Sequence, residues 1–306
     1  MKLEQITIIE PTRLTGEGLE RLQQYARKPI VYYRDVSTDE EAIIERIGDS
    51  DAILVGWQTK ITEQVLQAVP RLRYIGLCCS YYGPQSSNVD VAYAETQGMV
   101  VTAVNDYGDE GVVEFIFAQL INYYKGVPVS LANRTSSELS SKSLGIVGLG
   151  VVGKMVAKVA KAFGMKIYYT GRFKRSDSES EGAIWLPLTS LLKTCDVVSI
   201  HVPRGTLLLD ENYFNNKKPG SIIINTSLGT PLSEEALYNW LKRDSEALAI
   251  FDADGASSFS KKLQEMPNVM VYAQSAGLTE ESKHRLTAKA IANLVGFLAD
   301  HDVECL

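Results

Sequence analysis

The sequence predicts an α/β protein made of two doubly wound parallel-sheet domains. Three observations predict it. Short β-branched runs alternate with amphipathic stretches of helical period along most of the 306 residues. The alternation breaks once, at a polar, Ser-rich stretch, and then resumes. The resumed part opens on a glycine-rich turn between an apolar strand and a helix-forming run. Alternation of this kind belongs to parallel sheets covered by helices on both faces.

The elements follow in order. ITIIE from Ile6 reads as a strand and GEGLERLQQYA as a helix. IVYYRD from Ile30 and TDEEAIIERIGDS repeat the pair, as do DAILVGW from Asp51 and ITEQVLQAVP. RYIGLCC from Arg73, the helical NVDVAYAETQG and the strand MVVTAV from Met99 close the first set. A long helix is expected from Val112 to Gly126, then a linker or arm whose polar part is NRTSSELSSKS, Asn133 to Ser143. SLGIVGLG starts the second set, which continues to VMVYAQ near residue 270. The last segment, EESKHRLTAKAIANLVGFLAD, reads as one amphipathic helix with a buried stripe of Leu286, Ala290, Ala292, Leu294 and Phe297.

Composition narrows the function. A formal net charge of −6 gives no global attraction for nucleic acid or an anionic membrane. No apolar run approaches the ~20 residues needed to span a bilayer, and the N-terminus lacks a signal-peptide core. The four cysteines, Cys78, Cys79, Cys195 and Cys305, show no metal-ligand spacing and read as reduced thiols. A soluble protein of the reducing cytoplasm, holding no metal, is the expectation.

Gly148-Leu149-Gly150-Val151-Val152-Gly153 is GxGxxG. Alone it is a weak signal; here an apolar strand enters it and KMVAKVAKAFG leaves it as a helix. Gly148 permits the tight turn, Gly150 the approach of a pyrophosphate, and Gly153 close packing of helix on strand. The pyrophosphate would rest on free N–H groups at the helix N-terminus, around Val151 and Val152. Sites for NAD usually carry an acid at the end of the second strand, to accept from the ribose 2′-hydroxyl. Here the chain reads Tyr169-Thr170-Gly171-Arg172-Phe173-Lys174-Arg175, with Gly171 at that place and three cations after it. Arg172, Lys174 and Arg175 suit a 2′-phosphate, so NADP(H) is favoured over NAD(H).

With that site in place, nearly the whole chain resembles the D-isomer-specific 2-hydroxyacid dehydrogenase family. DAILVGWQTKITEQVLQAVPRLRYIG looks like the family's first-domain signature. DYGDEGVVEF is similar to the run entering its interdomain helix, and LGIVGLGVVGKMVAKVAKAFGMKI to its dinucleotide fingerprint. CDVVSIHVP, KKPGSIIINTSLGTPLSEEAL and AGLT at 276–279 follow in order. The run Tyr169 to Arg172 resembles the NADPH-preferring glyoxylate/hydroxypyruvate reductases.

The resemblance implies a Rossmann coenzyme domain, 104–282, inserted into a flavodoxin-like substrate domain, 1–103 plus 283–306. It implies a small-molecule substrate and a homodimer formed by coenzyme domains, although the 127–143 arm is shorter than the family's usual one. Val202 and Pro203 of the HVP run, Thr226, and Asp252, which would accept from the nicotinamide carboxamide, are implied as further cofactor contacts. The family's catalytic Arg, Glu and His would stand where this sequence has Leu228, Ser257 and Gln274. Leu228 cannot grip a carboxylate, and Gln274 cannot release a proton near neutral pH. The loop from Cys79 to Asn88 is longer than the family's Gly-rich carboxylate loop. It reads equally as a site for a larger ligand and as a surface turn.

Substitute proton donors are few. Tyr81, Tyr82, Tyr107 and Asp254 are placed by the resemblance at the interdomain cleft; His201 and His284 are weaker candidates. Two functions follow as expectations: an NADP(H)-binding oxidoreductase acting on CH–OH/C=O groups with a non-standard site, on a substrate other than a simple 2-oxo acid, or a catalytically silent dinucleotide sensor or regulatory protein.

Overall fold

The computed structural model describes residues 2–127, 135–175, 182–204, 206, 208–229 and 231–299. Residues 128–134 of the expected arm, and Cys305, lie outside them. The chain divides into two compact units, Met1–Tyr107 with Thr279–Leu306, and Gly108–Leu278.

In the first unit, β1 (Ile6–Ile8), β2 (Val31–Tyr32), β3 (Ala52–Val55), β4 (Tyr74–Leu77) and β5 (Val100–Ala103) form one sheet in the order β2-β1-β3-β4-β5. Every pair is parallel, and the order is flavodoxin-like. Successive residues serve opposite faces, as the strand period requires. Ile53 and Val55 pack with Ile43, Ile47, Val65 and Leu66. Ala52 and Leu54 pack with Leu22 and with Leu286, Ala290, Ile291 and Leu294 of the last helix, Glu280–Ala299.

The structure corrects that helix's expected stripe at one position. Ala292 is exposed and Ile291 is buried instead. Six residues past Leu286 is about 1.7 turns, which carries Ala292 to the solvent side.

The boundaries also differ from 103/104 and 282/283, for reasons visible in the hydrogen bonds. Lys289 Nζ donates to the Asn105 carbonyl at 2.7 Å, and Arg285 Nε to the Tyr107 carbonyl at 2.8 Å. The chain therefore stays with the first unit through Tyr107. At the other crossing, Thr279 N donates to Ser282 Oγ at 2.9 Å and Ser282 N to Thr279 Oγ1 at 3.1 Å. This reciprocal cap starts the last helix before residue 283.

The second unit holds β6 (Ser143–Val147), β7 (Lys166–Thr170), β8 (Ile184–Trp185), β9 (Val197–Ile200), β10 (Ile222–Asn225), β11 (Leu248–Phe251) and β12 (Val269–Val271). The order is β12-β11-β10-β9-β6-β7-β8, with parallel pairing throughout. Numbered from β6, its first six strands run 3-2-1-4-5-6, the Rossmann order. One face packs Ile116, Phe117 and Leu120 of helix Asp109–Lys125 with Val156 and Ala160 of helix Val151–Ala162. The other packs Leu191 and Leu192 with Leu237, Trp240 and Leu241. Gly126 ends the long helix in the left-handed conformation, at φ 69°.

Among the described residues, no helix is long and apolar enough to cross a membrane, and no group of three His, Cys, Asp or Glu could hold a metal ion. Cys78, Cys79 and Cys195 are buried free thiols. Burial pushes the Cys195 thiol up to about 12, which keeps it a thiol rather than a thiolate.

Candidate functional site

Strand order reverses between β6 and β9, and ligands of open α/β sheets sit beyond the carboxyl ends of the strands at such a point. The glycine turn lies there. Gly148 has φ +93°, and a Cβ on it would stand 2.0 Å from the His201 carbonyl oxygen. The turn is held from both sides: Gly148 N donates to the Thr170 carbonyl at 3.0 Å, and His201 N to the Val147 carbonyl at 2.7 Å. A Cβ on Gly153 would meet the Gly148 carbonyl at 2.2 Å. Only glycine lets this helix start so close to its strand.

Gly150 differs from both. It is the N-cap residue of helix Val151–Ala162 and makes no side-chain cap. A Cβ there would meet none of the described atoms within 4 Å. Val151 is 52% exposed. Uncapped amides, a positive helix end and open ground above it are what a pyrophosphate requires, so these residues fit a dinucleotide.

The end of β7 is equally open. None of the described atoms would touch a Cβ on Gly171 within 4 Å. Residues 171–175 are all exposed, so Arg172, Lys174 and Arg175 stand at the surface. Lys174 Nζ lies 4.8 Å from the centre of the Trp185 ring, a cation–π contact. Arg175 N donates to Tyr169 Oη at 2.7 Å.

The loops after β9 and β10 meet beside the turn. Ser227 Oγ donates to the Ile200 carbonyl at 3.0 Å and accepts from Val202 N at 3.2 Å. This ties the backbone at Ile200 and Val202 to Ser227; Val202, Pro203, Thr226 and Leu228 are all half-buried. Leu228, Ser257 and Gln274 stand in three loops at the carboxyl ends of β10, β11 and β12. Those loops are tied together: Ala253 N donates to the Gln274 carbonyl at 3.2 Å, and Gly255 lies so close to Asn225 that a Cβ would stand 2.3 Å from its carbonyl oxygen.

Asp252 is the knot between them. It is 1% exposed. Its Oδ1 accepts from Gly255 N and its Oδ2 from Ala276 N, each at 2.7 Å. Burial pushes its carboxyl up to about 6, with the Ala276 and Gly255 amides opposing that rise. Asp252 is thus an N-cap and a loop clasp, and it shapes the site through the backbone. Asp254, two residues on, is half-buried in the short helix Ala253–Ala256.

The tyrosine-bearing loop after β4 is organised from within the first unit. Tyr81 N donates to Asn105 Oδ1 at 2.9 Å, and Tyr82 N to Ser86 Oγ at 2.9 Å. Burial, helped by Glu95, moves the Tyr81 phenol up, the wrong direction for a proton donor at neutral pH. Tyr82 is 58% exposed. Tyr107 offers its carbonyl to Arg285, as described above.

His201 is half-buried and its ring meets Ser199 Oγ at 2.9 Å; loss of water around the ring holds it down to about 4, so it is neutral at pH 7. His284 is exposed and faces Glu280 at 3.8 Å.

Sequence reasoning missed the Ser227 bridge and the Tyr169 hydroxyl, and left a loop-capping role for Asp252 as the alternative to its resemblance-implied cofactor contact. Each bonds to a backbone group set by the fold, and no spacing rule encodes that. The signal available for Asp252 was its place immediately before a short helix, where an Asp caps.

Comparison with known proteins gives the family. The family model described as D-isomer specific 2-hydroxyacid dehydrogenase, NAD binding domain, matches residues 122–276. A protein of Staphylococcus saprophyticus named as a 2-hydroxyacid dehydrogenase is 30% identical, over 90% of this chain and 91% of that one. A glyoxylate reductase of Korarchaeum cryptofilum is 28% identical, over 92% of this chain and 89% of its own. Among solved structures, an acyclic imino acid reductase in complex with NADPH and D-Arg superposes with a TM-score of 0.82, at 25% identity and 99% coverage of both chains. The glycine turn, the two strand orders and these matches agree, and the chain belongs to the D-isomer specific 2-hydroxyacid dehydrogenase family of oxidoreductases, with a domain for a nicotinamide dinucleotide.

Proposed function

We propose that this protein is an NADP(H)-dependent oxidoreductase acting on a substrate other than a simple 2-oxo acid. The observation that carries the cofactor choice is the end of β7: among the described residues, open ground at Gly171, no carboxylate from Thr170 to Arg175, and Arg172, Lys174 and Arg175 exposed beside it. A 2′-phosphate gains charge-assisted hydrogen bonds there, whereas an acid would repel it. The imino acid reductase with NADPH supports the same choice. Bound reduced nicotinamide supplies a hydride; the chain's residues hold and orient it. Val202 and Pro203 would flank the dinucleotide, and Asp252 would set the loops around its ring.

The substrate reading rests on Leu228, Ser257 and Gln274 at the family's catalytic positions. They provide no guanidinium for a carboxylate, no acid beside the carbonyl and no carboxylate to orient one. Two amides of the loop after β4, those of Tyr81 and Tyr82, are already engaged by Asn105 and Ser86. A free carboxylate therefore has fewer donors to meet. The imino acid reductase supports a C=N substrate as one alternative to a 2-oxo acid. A homodimer belongs to this reading, as does the reducing cytoplasm, which the buried free thiols fit.

Calorimetry tests the cofactor choice. Arg172→Ala is expected to weaken NADPH about 10–100-fold, the worth of one hydrogen bond to a charged group, and to leave NADH unchanged. Equal affinities for both nucleotides in the native protein would remove the choice. A screen of NADPH oxidation against aldehydes, ketones, imines and 2-oxo acids tests the substrate. Fast turnover of glyoxylate or hydroxypyruvate would refute the reading of the three replaced positions.

A second reading, a dinucleotide sensor without turnover, draws support from the titrations. Tyr81 is shifted up and His201 is held neutral. NADPH binding with no oxidation across that screen would favour it.

A further inference from the structure

Tyr169 is a polar exception in an apolar place. It lies in β7, is fully buried, and packs among Ile146, Val156, Ile167 and Ala183. Its ring belongs to the core, but its hydroxyl reaches the loop that leaves its own strand. Tyr169 Oη accepts from Arg175 N at 2.7 Å and donates to the Arg175 carbonyl at 3.4 Å. The chain departs at Thr170, carries Gly171, Arg172, Phe173 and Lys174, and is brought back to a side chain one residue before its departure. A loop that short, closed on a buried anchor, has little freedom left.

A second contact divides the three cations. Lys174 Nζ sits over the Trp185 ring at 4.8 Å. Trp185 stands in β8 beside Tyr169 in register, and Leu186 N donates to the Tyr169 carbonyl at 2.9 Å. Lys174 is thereby drawn toward β8, and Arg175 is held at its backbone. Arg172 is left on the closed span, next to the open ground at Gly171.

We propose that Tyr169 is a positioning residue for cofactor discrimination: its buried hydroxyl holds the 170–175 loop so that Arg172 is presented to the phosphate of an adenosine 2′-phosphate. This rests on the NADP(H) reading above. The ligand never touches Tyr169. The hydroxyl acts by ordering the loop before binding, so less freedom is lost when the phosphate arrives.

Tyr169→Phe removes one oxygen and keeps the ring in the core. The expected result is a 3–10-fold weaker affinity for NADPH, roughly the worth of one neutral hydrogen bond, with NADH unchanged. The same loss is expected for adenosine 2′,5′-bisphosphate and none for AMP, which carries no 2′-phosphate. A core defect would weaken all four ligands together, and that outcome would overturn the proposal. So would an unchanged NADPH-to-NADH ratio in Tyr169→Phe while Arg172→Ala lowers it; the NADP(H) reading would then survive alone. If native protein fails to distinguish the two nucleotides, the reading and the proposal fall together. Should Tyr169→Phe not fold, amide hydrogen exchange on the native protein decides. Slow exchange at Arg175 N supports the clasp, and exchange at the rate of an open loop overturns it.

Discussion

Gly150→Ala is expected to leave the thermal midpoint within about 1 °C and yet to weaken nicotinamide dinucleotide binding by roughly 30–150-fold, or about 2–3 kcal/mol. The two halves of that result have separate causes. Gly150 has φ −81° and ψ −156°, an extended conformation open to any residue. Its added methyl would meet no described atom within 4 Å, and the poorer N-cap preference of Ala, about 0.5–1 kcal/mol, is offset by the about 0.4–1 kcal/mol that Ala saves in unfolded-chain entropy. Folding therefore barely registers the change. The methyl instead enters the ground where a pyrophosphate must approach the amides of Val151 and Val152.

Gly148→Ala is the contrasting control. At φ +93° and 2.0 Å from the His201 carbonyl, its methyl forces β6 and β9 apart. It is expected to lower stability by about 3 kcal/mol or more and to abolish binding with it. Calorimetry and thermal melting on the two variants check both statements. Tight binding by folded Gly150→Ala would mean that the dinucleotide does not lie over this helix end.

These glycines also show what a sequence can disclose. Gly148 and Gly153 were legible because each place excludes a side chain, Gly148 by its positive φ and Gly153 by the Gly148 carbonyl beside it, and Gly150 because a pyrophosphate would need the room a side chain takes. The parallel, two-faced sheets were legible for a similar reason. Residues such as Ile53 and Val55, or Leu144 and Ile146, are apolar in unbroken runs, and only a sheet covered on both faces buries such runs. Leu286, Ala290 and Leu294 followed the helical period; Ala292 was misassigned because a small apolar residue is tolerated on either side of a helix.

What stayed hidden depends on contacts between segments remote in sequence. Asp252 reads as a cofactor contact by resemblance, yet its two oxygens are engaged by Gly255 and Ala276. Tyr81 and Tyr82 read as tyrosines lining a site. The informative groups are their amides, already paired with Asn105 and Ser86. The last helix keeps Tyr107 in the first unit through Arg285, a bond 178 residues apart in sequence. Local pattern fixes which face is buried; it does not say which buried polar group answers which backbone amide.

Lys217 carries the second large prediction, because it is a cation the fold has sealed in. It is 8% exposed, its Nζ lies 2.6 Å from Ser221 Oγ, and it sits 4.9 Å from the centre of the Trp240 ring. Burial is the main cause that drives its amine down to about 7, with Cys195, Asp244 and Asp196 opposing. An unfolded chain holds that proton up to about pH 10.4. Between those limits the unfolded state binds more protons than the folded one, so the group's contribution makes stability rise with pH. Below about 7 the amine is charged in both states and the burden on the fold is complete. Lys217→Met keeps a long apolar stem against Trp240 and removes the charge, while forfeiting the Ser221 hydrogen bond and the cation–π contact. The net expectation is a gain of about 2 kcal/mol at pH 6 that falls through zero as pH rises and becomes a loss of about 2 kcal/mol by about pH 10, because a proton affinity lowered from about 10.4 to about 7 is worth roughly 4 kcal/mol across that range. Urea denaturation of native and variant protein at pH 6, 8 and 10 measures the difference directly, with titrating groups remote from Lys217 cancelling between the two. A difference that stays constant with pH would show that Lys217 keeps an ordinary amine affinity for its proton. A loss of stability at pH 6 would show that the Ser221 and Trp240 contacts outweigh the burial of its charge.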